Sequence, residues 1–151
     1  MGENRKRLDD LLRRRRRVNR VSAAVAAWTA LGVTASPLSN DRHEKLLSLL
    51  RSAGIRRSAE LRPSTVPLSD VVSEFSQRGD MLVIIGWDVD EEPGLLVSSD
   101  AVCQSVDHLR AIYPDGFVLL DQPLASAMLI DFDAEDPVTL YVEEGSLGRP
   151  T

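Results

Sequence analysis

The spacing of hydrophobic positions changes part-way along the chain. From residue 4 to 32 they recur at helical intervals. Leu11, Val18 and Val25 share one heptad position, and Val21 and Trp28 share its partner. Arg14 takes the third slot of that partner position and interrupts the seam. No Pro or Gly falls between Glu3 and Gly32, so one long helix is predicted, with Gly32 as its C-cap. A second helix is predicted after Pro37. Asp41 and Glu44 have capping-box spacing, Leu46, Leu47, Leu50 and Ala53 give an apolar face, and Gly54 ends the run. The two helices are expected to form an antiparallel hairpin. Residues 55–67 hold Arg56, Arg57, Arg62, Pro63 and Pro67 and read as a loop with room for a short strand. Ser69 is the expected cap of a short helix carrying Val71, Val72 and Phe75, stopped at Gly79.

From residue 80 the pattern becomes strand-like. The apolar, branched run at 81–85 predicts a central strand, and 95–97 a second one. Asp100 is the expected cap of a helix that turns Val102, Val106, Leu109 and Tyr113 inward. Tyr-Pro-Asp-Gly at 113–116 signals a turn, and strands follow at 117–121, 127–132 and 138–142. The short loops between them favour antiparallel pairing. The expected fold is α+β: an N-terminal helical hairpin with a long Arg-rich first helix, then a mostly antiparallel sheet with one or two packed helices. It divides into an Arg-rich helical arm, 1–36, and an α+β body, 37–151.

A length of 151 residues with 43% apolar content suffices for a hydrophobic core. Cys103 is the only cysteine, which excludes a disulfide scaffold, and two histidines leave little for a transition-metal site. No metal or cofactor is expected. No strongly apolar run of spanning length is present. Residues 13–36 have the charged, apolar and small-residue succession of a secretory leader. The acidic residues before it and its alanine-rich middle favour a structural helix instead, and a cytoplasmic location is expected.

Charge is segregated along the chain. The net charge is −5, but residues 1–20 carry nine basic residues against three acids, and residues 80–151 carry two against fifteen. A basic arm on an acidic body implies either self-docking or two partners of opposite sign. Arg13, Arg14, Arg15, Arg16 and Arg17 wrap the helix completely at about 100° per residue, so they cannot all lie on one solvated face. With Arg20 they form a candidate phosphate-binding set. No aromatic residue interleaves them, and the acidic body opposes a nucleic-acid backbone. An anionic membrane is a weaker partner still.

Asp88, Asp90 and Glu92 sit at the first three odd positions of a calcium-loop pattern, but Pro93 stands where that loop needs Gly, and the twelfth position is Ser99. The turn reads better as a carboxylate patch beside Trp87 that captures a basic partner. Cys103 lies near a predicted helix start, but His108 falls on another face. A structural cysteine and surface histidines are expected. No Gly-rich phosphate loop, nucleophile elbow or zinc motif occurs, so no enzymatic activity is expected.

The succession Tyr-Pro-Asp-Gly-Phe-Val-Leu-Leu-Asp at 113–121, Ala-Ser-Ala-Met-Leu-Ile-Asp-Phe-Asp at 125–133 and Val-Thr-Leu-Tyr-Val at 138–142 resembles the small acidic α+β immunity proteins of bacterial polymorphic-toxin systems. That resemblance implies a non-enzymatic inhibitor that blocks a cationic toxin by carboxylate contacts. The expected contact surface for a basic protein is Trp87, Asp88, Asp90, Glu91, Glu92, Asp131, Asp133, Glu135 and Asp136. The first helix, through Leu11, Val18, Val21, Val25 and Trp28, is expected to pack on the second helix or to form a homodimer seam. The alternative function is a nucleic-acid-associated regulator that binds phosphate through the six arginines.

Overall fold

Pleated strands send alternate side chains to opposite faces, and here both faces are apolar. In the computed structural model, which describes residues 2–53, 62–64, 67–77, 79–121, 127–132 and 139–143, helix α1 (Gly2–Thr29) is followed by β1 (Ser36–Pro37), α2 (Asn40–Ala53), β2 (Arg62–Ser64) and α3 (Leu68–Ser76). Then come β3 (Met81–Gly86), β4 (Leu95–Ser98), α4 (Ser99–Gln104), a 3₁₀ turn at Val106–His108, α5 (Leu109–Ile112), β5 (Gly116–Asp121), β6 (Ala127–Asp131) and β7 (Thr139–Glu143). The chain is α+β. The described strands form one antiparallel sheet in the order β1-β4-β3-β5-β6-β7-β2.

Alternation splits the core in two. Leu82 and Ile84 of β3, Phe117 and Leu119 of β5, and Met128 and Ile130 of β6 join Trp28, Val72, Phe75, Val102 and Leu109 on one face. Val83, Ile85, Val118, Leu120 and Leu129 meet Leu46 and Leu47 of α2 on the other. Coverage of both faces explains why these strands are continuous apolar runs.

Predicted strands and observed ones agree to within a residue or so, but three helix starts are corrected. The hydroxyl of Ser39, not Asp41, caps α2, accepting from the Arg42 N–H at 3.2 Å. Pro67 precedes α3, which places Ser69 inside that helix. Ser98, not Asp100, caps α4, accepting from Ala101 N–H at 3.1 Å. The inward run from Val102 to Tyr113 is broken into α4, the 3₁₀ turn and α5, yet Val102, Leu109 and Tyr113 are buried as expected. Gly54 and most of 55–67 lie outside the described residues; β2 provides the short strand there.

Helix α1 ends where expected. Gly32 has φ 77°, and Val33 N–H returns to Trp28 O at 3.1 Å. Its seam is divided. Trp28 is fully buried and Val25 packs against the core, but Leu11 and Val18 are about half exposed. The side chains of α1 and α2 meet through Arg14, Arg17 and Glu44.

Candidate functional site

Strands β3 and β4 are joined by the acidic turn, and its backbone is tightly held. Glu91 and Glu92 N–H both return to Asp88 O, at 3.1 and 2.9 Å, and Trp87 N–H reaches Gly116 O at 3.0 Å. Leu38 N–H donates to Gly94 O at 3.0 Å. The Val89 carbonyl accepts from His43 Nε2–H of α2 at 3.0 Å; since a carbonyl only accepts, Nε2 carries the proton. His43 is buried, which corrects the expectation of a surface histidine; His108 is exposed as expected.

Across this turn lies the arginine stretch of α1. Arg16 pairs with Glu91, and Arg20 Nη1 donates to Glu92 Oε1 at 2.9 Å. Arg17, with only 5% of its side chain exposed, donates to the Asp90 carbonyl at 3.2 Å and to Glu44 Oε1 at 2.9 Å. Arg14 approaches the same Glu44 oxygen at 3.5 Å, and Arg13 is 3.8 Å from Asp10. At about 100° per residue, Arg16, Arg17 and Arg20 fall within roughly a 100° arc, so one helix face presents all three. Arg15 points the other way and joins no ion pair among the described residues. A cleft of about 340 Å³ opens beneath α1, lined in part by Arg7, Arg13, Arg14, Arg17, Glu44 and Asp90.

These contacts set the ionisation of the turn. The hydrogen bond from Arg16 holds Glu91 below the usual carboxylate range. Burial pushes Glu44 up, but Arg17 and Arg14 outweigh it and the net shift is downward. Burial pushes Glu92 up, with Arg20 offsetting it only in part. Its side chain lies against Gly86, where a Cβ would come within 2.8 Å of the Glu92 Cγ. The close approach of Glu92 therefore requires glycine at the end of β3.

The register also places Asp131 near the turn. Gly116 is bonded to Trp87 and paired with Asp131, so Trp87 and Asp131 stand two ladder steps apart, on the order of 10 Å. Asp88 is exposed and Trp87 is half-buried against the α2 face of the sheet. Asp133, Glu135 and Asp136 lie outside the described residues. Cys103 is half-buried, with Sγ 3.1 Å from Ser76 Oγ. Among the described residues, no group of three or more His, Cys, Asp or Glu could hold a metal ion, and no helix is long and apolar enough to cross a membrane. Family models, curated proteins and solved structures offer no match to this chain.

Two participants lie outside the expectations from sequence. Glu44 has capping-box spacing from Asp41, but it is the acceptor shared by Arg14 and Arg17. His43 stands on the same helical stripe as Leu46, Leu47 and Leu50, a spacing that signals burial. Burial lowers its pKa below 6.5, against the raising effect of the Val89 hydrogen bond. The neutral form is thus favoured by folding, and its contribution is present above pH 6.5 and lost as pH falls through the lowered value. Thermal melts should show falling stability from pH 7.5 to 5.5, by at most about 1.4 kcal/mol per pH unit. His43→Gln should flatten that slope; an unchanged slope would assign it to another group.

Proposed function

We propose that this chain is a non-enzymatic protein-binding module whose acidic turn holds an arginine-bearing helix of a basic partner, in the manner of an immunity-type inhibitor. One observation carries the reading: the turn already seats three guanidinium groups from a single helix face, two on the Glu91 and Glu92 carboxylates and one on the Asp90 carbonyl. Charge-assisted bonds of this kind are directional as well as attractive. The helix seated there is the chain's own α1, so Glu91 and Glu92 are not an open patch. A basic partner has to displace Arg16 and Arg20, or dock beside them through Asp88, Trp87 and Asp131. The nucleic-acid reading has less support, because Arg14, Arg16, Arg17 and Arg20 all face carboxylates of the body.

The test uses the full chain and a fluorescent peptide of residues 4–29 as the arginine-helix probe. Arg16→Ala with Arg20→Ala frees both turn carboxylates and leaves the buried Arg17 in place. This double variant should bind the peptide at least tenfold more tightly than the parent at low salt. Adding Glu91→Gln and Glu92→Gln should abolish the gain. Equal binding by the neutralised variant would remove the acidic turn from the proposal. Tight binding of the parent to random duplex DNA, with a steep inverse salt dependence, would replace the proposal with the phosphate-binding one.

A further inference from the structure

We infer that the outward face of α1 is a second docking surface, one that fits an acidic amphipathic helix of another protein. Leu8, Leu11, Leu12 and Val18 are 56%, 52%, 42% and 50% exposed, the large hydrophobic side chains left open on the described surface. At about 100° per residue they fall within roughly a 120° arc, and Arg17 and Trp28, which face the body, lie about 140–160° from its centre. Leu8 and Leu12 point outward, and Leu11 and Val18 stand at the body-side edge of the arc, where they line the clefts beneath α1 but stay about half exposed. Together the four form an open apolar seam among the described residues.

The charges around the seam select its occupant. Arg5 and Arg7 flank it, one on each side, and neither joins an ion pair among the described residues. Arg15 lies at the centre of the arc, with Leu8 and Leu12 to one side and Leu11 and Val18 to the other. Asp9 and Asp10 both fall outside it. A bilayer is a poor match, because an interfacial helix keeps its cations on the polar face and Arg15 would point straight at the acyl chains. A second copy is a poor match too. Both strips are strongly basic, and an aligned pair would set Arg15 against Arg15. A helix with apolar residues at alternating three- and four-residue spacing, a carboxylate opposite Arg15 and acidic flanks satisfies every one of these groups. Arg17 and Arg20 lie on the opposite side of α1 from this surface and Arg16 lies just beyond its Leu12 edge; the surface stands or falls independently of the acidic-turn reading.

The probe is a synthetic 21-residue peptide with leucine at the seam positions, glutamate on both flanks and one glutamate at the central seam position. Its control has the same composition with leucines scattered over all faces. The full chain should bind the patterned peptide at least tenfold more tightly than the control. Leu8→Ala, Leu11→Ala and Leu12→Ala together should erase the difference while circular dichroism and the melting temperature stay unchanged, since these side chains are half exposed. Arg15→Glu should weaken binding to the patterned peptide, and a peptide with lysine at its centre should restore it. Equal binding of patterned and control peptides would reduce the face to bulk charge and overturn the inference. Failure of the charge swap, self-association of the parent in sedimentation, or binding to 7:3 phosphatidylcholine–phosphatidylglycerol vesicles in place of the peptide would each overturn it as well.

Discussion

Gly116→Ala should destabilise the protein by about 3 kcal/mol or more, lowering its melting temperature by roughly 6–12 °C. Gly116 opens β5 with φ 121°, a region L-residues avoid. A Cβ there would overlap the Ile130 carbonyl oxygen and come within 3.2 Å of Asp131 Cα. Both obstacles are backbone of the neighbouring strand, so no rotamer change relieves them. Conformational strain alone contributes about 1–3 kcal/mol, and the overlap adds the displacement of β6. Gly79→Ala is the matched control. Its nearest neighbour, Met81 O, is 3.7 Å from the added carbon, and the change should stay within about 0.5 kcal/mol. If the two variants melt alike, the close packing of β5 on β6 is wrong. The effect also reaches the candidate site, because the Gly116 carbonyl accepts the Trp87 N–H at the root of the acidic turn.

The turn at 113–116 was legible because Pro, Asp and Gly act locally, each through its own backbone preference. Strand positions were legible for a similar reason: a run such as 81–85 has enough branched apolar residues to declare itself without its neighbours. Helix starts were less so. Strand β4 passes directly into α4, so the cap is the last residue of the strand, Ser98, and Asp100, the better-looking cap in isolation, falls inside the first turn. The separation of charge was visible, but its consequence was not. That Arg16, Arg17 and Arg20 share an arc follows from helical geometry, whereas their acceptors in the acidic turn lie more than 70 residues away along the chain. Glu44 illustrates the same gap. Its spacing from Asp41 offered a local role, and only the packing of α1 against α2 revealed the long-range one. Heptad spacing likewise could not separate Trp28 and Val25, which reach the core, from Leu11 and Val18, which stay about half exposed.

Trp28→Ala should be the most damaging change in α1, at about 3–5 kcal/mol. Trp28 is fully buried among Val72, Phe75, Tyr113 and their neighbours, and its Nε1–H donates to the Tyr113 hydroxyl at 3.1 Å. Burial pushes the Tyr113 pKa up to about 12, so the hydroxyl stays neutral and serves as the acceptor at any physiological pH. Trp28→Phe keeps most of the ring and removes the donor, and should lose only about 1 kcal/mol. The comparison bears on function, because Trp28 fixes the end of the helix that carries the arginines two to three turns earlier. Once that anchor is gone, α1 is held by the partly buried Val25 and by its arginine contacts with Glu44, Asp90, Glu91 and Glu92, and solvent screens those at Glu91 and Glu92. Trp28→Ala should therefore open the acidic turn to the 4–29 peptide as Arg16→Ala with Arg20→Ala does, provided it is measured below its reduced melting temperature, and Trp28→Phe should not. Should the alanine variant stay closed to the peptide while losing the expected stability, the arginine contacts themselves, and not the buried tryptophan, are what keep the helix seated.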